Sequence, residues 1–354
     1  MPGIELSRRY WREVVAPIVD AVLPRTPRAA ALLGQGSDVL GFDTARSTDH
    51  GWGPRVIVFV DGADLSEGSQ RDLATAIDER LPETFGGFST RFADQAGAPV
   101  RHQVSFTTVG AWFMAALGFD PRGEVTDADW LATPSQLLRT SVAGAVFEDG
   151  AGQLTEARHR LRWYPDDVWL YLLACQWRRV DQEEPFVGRT GEVGDEVGSA
   201  IVAARLVRDL MRLCFLIERQ YAPYTKWLGT AFSRLQCAPA LIPLFQSALC
   251  GSDWKQREAA LVPATEEVAR LFNDLCVTEP QEPTVRYFWA RPFLVLDSGR
   301  FVEACMAKTP LAGLGYVGGI DQFADSTDVL SYPPAARRLR SFIASNYPSA
   351  APSP

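Results

Sequence analysis

Apolar positions in the N-terminal part of the chain follow two alternating periods. Residues 55–60 form a short apolar run rich in β-branched residues, and residues 100–109 alternate between apolar and polar; both patterns are typical of strands. Residues 69–81 carry apolar side chains three and four positions apart, as in an amphipathic helix. Residues 7–22 have the same spacing, and Pro17 is expected to kink or split their helix. The alternation predicts a mixed β-sheet flanked by helices.

From Pro165 onward the apolar pattern is helical. Its longest stretch, residues 195–219, has Ile201, Leu206 and Leu210 at helical spacing, and we expect all three to point inward. We therefore predict an α+β fold. An N-terminal α/β domain would cover residues 1–155, and a mostly α-helical domain with a wall of the substrate cleft would cover residues 156–354.

Charge and cysteine usage narrow the class of protein. A formal net charge of -8 over 354 residues argues against a nucleic-acid binder, which would need a basic surface. The six cysteines are scattered, which is typical of buried thiols in a reducing cytosol rather than of zinc ligands. Neither a signal pattern nor an apolar run long enough for a bilayer is present. We expect a cytoplasmic protein with a small-molecule substrate and no membrane or nucleic-acid partner; the oligomeric state stays open.

A glycine turn and a group of acidic residues lie directly before the apolar run at residues 55–60. Gly36 and Ser37 form the turn, which exposes backbone N–H groups; a turn that uses glycine for its geometry alone is the alternative. Three aspartates follow, namely Asp38, Asp43 and Asp49. Exposed N–H groups beside carboxylates at the edge of a strand suit phosphates bridged by a divalent metal.

These residues resemble the glycine-serine and acidic signature of the polymerase-β-type nucleotidyltransferases. The string at residues 34–55, together with residues 164–169, 194–199 and 224–229, resembles more closely an uncharacterised bacterial nucleotidyltransferase-like family built on that fold. The resemblance covers nearly the whole chain. In the resembled fold Ser37 would stand at the start of a helix, where it and nearby backbone N–H groups would hold a phosphate. It implies a nucleotidyltransferase-like N-terminal domain and transfer of a nucleoside monophosphate from an NTP to a hydroxyl of a small molecule, although the family has no settled activity.

The chain departs from the acidic signature at two positions. The second carboxylate would stand at Gly51, and the third, from a neighbouring strand, would align with Ser105. The resemblance therefore implies Asp49 as a metal ligand with Asp43 as a weak second one. We expect weak binding of Mg²⁺, NTP as the nucleotide donor, and no other cofactor.

Further candidates for the substrate site lie in the helical part. Arg205 and Arg208 follow one another along the longest helix, and guanidinium groups bind triphosphates well. Tyr224 and Lys226 lie just after that helix and are candidates for the second wall of a cleft. Equally open alternatives are a salt-bridged helix face for the arginines and a plain surface position for the lysine.

The sequence leaves three functions open. The first is nucleotidyl transfer with a reduced metal site, for which Ser37, Asp49 and His102 would share a cleft with at least one residue of the helical part. The second is metal-independent acid–base chemistry on a small metabolite by Asp49, His50 and His102; His102 as an ordinary core residue is the alternative. The third is a non-catalytic binding protein on the same scaffold.

Overall fold

The structure, a computed structural model, describes residues 2–49, 51–93 and 97–335. Its strands are β1 Arg28–Leu32, β2 Val56–Val60, β3 Thr84–Phe85, β4 Phe88–Ser89, β5 Arg91–Phe92, β6 Arg101–His102, β7 Val104–Thr107, β8 Ala145–Asp149, β9 Arg286–Tyr287 and β10 Leu294–Val295. Its α-helices are α1 Gly3–Tyr10, α2 Ala16–Val22, α3 Glu67–Arg80, α4 Val109–Ala116, α5 Asp127–Ala132, α6 Ser135–Val142, α7 Gln153–Arg160, α8 Asp166–Glu183, α9 Phe186–Glu192, α10 Glu196–Ile217, α11 Thr225–Phe232, α12 Ala238–Cys250, α13 Trp254–Asp274, α14 Gly299–Met306 and α15 Thr327–Ser331. A π-helical turn and three 3₁₀ helices complete the elements, at Trp11–Val15, Ala45–Asp49, Pro310–Leu314 and Ile320–Gln322.

Four strands form a mixed sheet in the order β7-β2-β1-β8. β1 pairs antiparallel with β2 and with β8, whereas β2 and β7 are parallel. The chain crosses from β2 to β7 through α3 and the short strands β3 to β6. This arrangement and the mostly helical remainder confirm the predicted α+β class.

One face of the sheet is covered by the helices on either side of β1 and β2. Val58 and Val60 on β2 and Leu73 and Ile77 on α3 belong to one buried cluster. The i, i+4 spacing on α3 brings both of its side chains to the same face, which explains why this stretch forms a helix here. Ser66 caps the helix by accepting a hydrogen bond from the N–H of Ser69 at 3.2 Å.

The first helix is interrupted where Pro17 was expected to disturb it. α1 passes into the π-helical turn Trp11–Val15, and α2 begins at Ala16 with the proline in its first turn. Proline has no N–H to donate to the preceding turn, so a wider turn is accommodated there. The predicted strand at 100–109 is also divided, since Gln103 separates β6 from β7 and β6 pairs with β5 instead.

The longest helix, α10, is confirmed, but one of its predicted inward residues is wrong. Leu206 and Leu210 are buried, whereas Ile201 is 64% exposed. Val197, one turn earlier, is exposed as well. The helix has two apolar stripes, and tertiary packing rather than periodicity decides which of them is covered.

The chain divides into two compact units. Unit 1 comprises Met1–Val125 and Leu137–Arg162, and unit 2 comprises Thr126–Gln136 and Trp163–Pro354. The predicted boundary after residue 155 falls inside α7, which belongs wholly to unit 1. The boundary as a limit between independently folding domains stays a prediction. No helix within the described residues is long and apolar enough to cross a membrane.

Glu184, at the end of α8, joins that helix to the segment before α14. Its carboxylate accepts hydrogen bonds from the N–H groups of Leu296 at 2.9 Å and Ser298 at 3.0 Å, and from the Ser298 hydroxyl at 3.2 Å. Burial raises the pKa of Glu184 to about 7, although the hydrogen bonds from Ser298 and Leu296 act in the opposite direction. Burial is therefore the stronger influence on this carboxyl group.

The raised pKa of Glu184 predicts that the protein loses stability as the pH rises. The unfolded pKa lies near 4.3, so between about pH 4.3 and 7 the folded state binds more protons than the unfolded state. The stability contribution is complete below that window and lost above it, by an amount on the order of 2 kcal/mol. Urea unfolding at pH 5 and pH 8 measures it, and Glu184→Gln should remove this part of the difference. An identical pH dependence in both proteins would contradict the prediction.

Candidate functional site

The glycine turn after β1 does not lead into a helix. Residues 34–41 form successive turns, closed by a hydrogen bond from the N–H of Phe42 to the carbonyl oxygen of Ser37 at 2.7 Å. Gly36 has a φ of 143°, which a side-chain-bearing residue rarely adopts. The expected helix start at Ser37 is therefore wrong. The roles of Gly36 and Ser37 in phosphate binding stay predictions.

An arginine of the same unit occupies the interior of this turn. Arg55 donates from Nη2 to Asp38 Oδ1 at 2.5 Å and to the carbonyl oxygen of Gln35 at 3.0 Å, and from Nε to Asp38 Oδ2 at 3.3 Å. A Cβ on Gly36 would overlap with the guanidinium. The glycine is needed for this close approach, and the turn holds a cation of the chain itself. Asp38 is 1% exposed, and both of its oxygens are bonded to Arg55.

Asp43 is also engaged by neighbouring groups of the chain. Its Oδ2 accepts hydrogen bonds from the N–H of Gly3 at 2.8 Å and from Nε1 of Trp52 at 3.3 Å. The carboxylate thus stabilises the N-terminus of α1, a position where negative charge is favourable. Its role as a weak metal ligand stays a prediction. No group of three potential metal ligands occurs among the described residues.

Asp49 ends the 3₁₀ helix Ala45–Asp49, and β2 begins only at Val56. Its backbone therefore precedes the strand, and its position at the strand edge stays a prediction. The side chain of Asp49 and the whole of His50 lie outside the described residues, so their roles stay predictions. Gly51 has a φ of 61°.

Ser105 lies on the strand next to β2. In the parallel pairing of β2 with β7, Ser105 stands opposite Ile57. Val104 and Phe106, its neighbours in sequence, pack into the cluster beneath α3. Because side chains alternate along a strand, Ser105 projects from the other face, where it is exposed. The residue aligned with the third carboxylate therefore has an open position beside β2.

His102 is oriented by its own neighbourhood. Its Nδ1 accepts a hydrogen bond from the N–H of Val104 at 3.3 Å, and Nε2 lies 3.7 Å from Asp78 on α3. Burial lowers the pKa of His102, while Asp78 opposes that shift. The hydrogen bond assigns the proton of the neutral ring to Nε2 and occupies the lone pair of Nδ1. A general base needs a free lone pair, so this geometry does not favour His102 in that role.

The remaining predicted site residues lie in unit 2. Arg205 is 3.5 Å from Glu183, as expected for a salt-bridged helix face. The Nε of Arg208 is buried without a hydrogen-bond partner in the described part of the chain. Tyr224 donates its N–H to Gln136 at 3.1 Å. Lys226 is exposed, with Nζ 4.9 Å from the ring centroid of Trp227. Their participation in a shared cleft stays a prediction.

Arg55 is the residue that sequence reasoning missed. It is separated from Asp38 by 17 positions, beyond the reach of any local pattern. A signal was available, because an aspartate within an apolar turn needs a partner and Arg55 directly precedes the buried strand. The position of Asp38 thus predicts that it has a positively charged partner, but it does not predict which arginine of the chain that partner is.

One segment of the chain is similar to a known protein family. The model of a family described as a domain of unknown function (DUF4037) matches residues 130–228. No curated protein matches the chain. The crystal structure of a nucleotidyltransferase-like protein from Exiguobacterium sibiricum 255-15, determined at 1.90 Å resolution, is similar over 97% of this chain and 91% of its own, with 12% sequence identity and a TM-score of 0.31. A likeness this low carries no conclusion about site or reaction.

The buried pair predicts a strong effect on stability. Arg55→Met leaves Asp38 without its cation, so we expect a loss of about 2 kcal/mol, discounted because Arg55 is 20% exposed. Double-mutant analysis with Asp38→Asn should recover part of that loss, since the two effects are coupled. Chemical denaturation measures both.

The matched control for this pair is an exposed one. Arg9 Nε lies 3.0 Å from Glu13, and both side chains are 36% exposed. Because solvent screens this pair, Arg9→Met should leave the free energy of unfolding nearly unchanged. Equal effects of Arg55→Met and Arg9→Met would show that Asp38 does not depend on Arg55.

Proposed function

We propose that the protein is a nucleotidyltransferase-like enzyme that transfers a nucleoside monophosphate from an NTP to a hydroxyl of a small molecule. The observation that supports this is the order of elements around β2. The segment Ala45–Asp49 leads towards β2, and β2 pairs in parallel with β7, which carries Ser105. This is the neighbourhood in which the resemblance requires its acidic residues.

The described carboxylates do not fit a site for two metal ions. Asp38 is bonded to Arg55, Asp43 holds the start of α1, and Gly51 and Ser105 offer no carboxylate. Asp49 is the residue that would hold a single Mg²⁺, with the phosphates of the NTP as its further ligands. Such an ion would offset charge on the reacting phosphate.

A non-catalytic binding role is the second candidate. The observation that favours it is the ion pair of Arg55 with Asp38, because it fills the glycine turn and neutralises one of the acidic residues. A protein of this kind would bind a nucleotide or another ligand without turnover. The acid–base candidate is weakened by the hydrogen bond that Val104 donates to His102.

Asp49→Asn tests the proposed transfer. The change keeps the size of the side chain but removes the charge that would hold the ion, so we expect a rate loss of about 100-fold, or about 3 kcal/mol. The measurement is pyrophosphate release from NTPs with Mg²⁺ and a pool of hydroxylated metabolites. Asp61→Asn, at the opposite end of β2, is the control and should leave the rate unchanged.

Two treatments distinguish the proposed function from its rivals. EDTA should abolish nucleotidyl transfer, whereas His102→Gln should leave it nearly intact because that ring faces Asp78. Turnover that resists EDTA, releases no pyrophosphate and is lost in His102→Gln would instead support acid–base chemistry. Saturable NTP binding with no turnover would support the binding role.

Restoring the acidic signature should strengthen metal binding. We expect the unmodified protein to bind Mn²⁺ weakly, and Gly51→Asp with Ser105→Glu to tighten binding by about tenfold or more, since each carboxylate adds an anionic ligand. The positive φ of Gly51 makes Asp a better choice than Glu there, because Asp tolerates this conformation. Calorimetric titration measures the affinity. Tight binding by the unmodified protein would show that its ligands lie elsewhere.

A further inference from the structure

A tryptophan lies beside the glycine turn of unit 1. Trp112 belongs to α4, the helix that follows β7. Its side chain is half-buried, and a Cβ on Gly34 would lie 3.7 Å from its Cζ2. The indole ring is therefore adjacent to the first residue of the turn.

The ring also lies on the same face of the sheet as Ser105. Val58 and Val60 point into the cluster beneath α3, so Phe59 between them projects from the opposite face. The ring of Trp112 packs against Phe59, with centroids 6.3 Å apart. Ser105 projects from this face as well and is exposed. Beyond the indole ring, this face of β2 and β7 is thus open to a ligand.

The contacts of Trp112 with other rings are all edge contacts in the described part of the chain. Its plane is inclined by 75° to Phe59 and by 88° to Phe113. Among the described residues, no ring stacks parallel to the indole, and none accepts a hydrogen bond from its N–H. Tryptophan usually bonds this N–H when it is buried. A flat aromatic surface with a free donor is therefore left for a ligand.

The turn beside this ring offers polar groups to an anion. Three successive backbone N–H groups, those of Gly36, Ser37 and Asp38, have no acceptor among the described residues. The Nε and Nη2 atoms of Arg55 are bonded, but Nη1 has no hydrogen-bond partner there. Successive backbone N–H groups and guanidinium N–H groups both suit phosphate oxygens.

The aromatic surface and the polar groups are close together. Gly34 lies against the ring of Trp112, and the next residue, Gln35, accepts a hydrogen bond from Arg55 at 3.0 Å. One peptide bond thus separates the residue that touches the ring from the residue that touches the guanidinium. A nucleotide has the matching pair of parts, since its sugar joins a flat base to a chain of phosphates.

We propose that Trp112 stacks against the base of the NTP, whose phosphates lie along the glycine turn beside Arg55. This inference rests on the proposed nucleotidyl transfer, from which it takes the NTP, and it adds the residue that holds the base. Every base has a face that can stack on an aromatic side chain. Trp112 therefore selects nucleotides over phosphates without an aromatic ring, and it does not select one base over another.

ATP and ribose 5-triphosphate, which has the sugar and phosphates but no base, test the role of the ring. In calorimetric titrations of the whole protein with Mg²⁺ present, ATP should bind about tenfold or more tightly than ribose 5-triphosphate, as expected for one base–aromatic stack. Equal affinities would overturn the stacking role and leave the proposed transfer standing. Failure of both ligands to bind would overturn the proposed transfer and this inference with it.

Variants of Trp112 test the residue. Trp112→Leu should lower the affinity for ATP to that for ribose 5-triphosphate and leave the latter unchanged. Trp289→Leu, which removes a tryptophan of unit 2 that is 86% exposed, is the control and should change neither affinity. If Trp112→Leu does not fold, Trp112→Phe, with its smaller ring, should lower the affinity for ATP alone. An equal loss for both ligands, or no loss in a folded variant, would refute the proposal.

Discussion

The pairing of Arg55 with Asp38 is the interaction on which the N-terminal site depends. It joins the turn after β1 to the residue that precedes β2, and it forms only because Gly36 leaves space for the guanidinium. A buried carboxylate without this partner would be unstable at the position it occupies. The pair therefore fixes the path of the chain between the two antiparallel strands. It also removes Asp38 from the set of groups available to a ligand.

Contacts within unit 1 also separate the aspartates that stabilise the fold from those that remain candidates for ligand binding. Asp43 serves the start of α1, and Asp38 serves Arg55. The charge of Asp38 is offset by Arg55, whereas Asp43 accepts its hydrogen bonds from two neutral N–H groups and keeps its charge, so its role as a weak metal ligand stays a prediction. The candidates for a metal site thus remain Asp49, with Asp43 as a weak second ligand, and the open position of Ser105 lies beside β2. A glycine turn with nearby aspartates is consequently weaker evidence for phosphate binding than its composition indicates.

The features of this fold that the sequence predicts are those that depend on residues close together in the chain. The strand β2 and the helices α3 and α10 were predictable, because periodicity within a single element identifies a buried face. The exposure of Ile201 was not, since α10 has two apolar stripes and only packing selects between them. The contacts of Arg55 and Asp43 escaped prediction because they join residues 17 and 40 positions apart. Candidate functional residues were therefore recognised by residue type. Whether each of them is available to a ligand depends on contacts with distant residues, which no local pattern identifies.

The charges of unit 2 show the same dependence on partners. Arg257 and Arg205 each lie near a glutamate of the chain, and their charges contribute to the fold. Arg212 donates a hydrogen bond to the carbonyl oxygen of Asp321, and the charges of Asp321 and Asp209 favour its charged form against the effect of burial. A helical core can therefore hold a buried guanidinium when carboxylates of the same unit offset the cost of its burial.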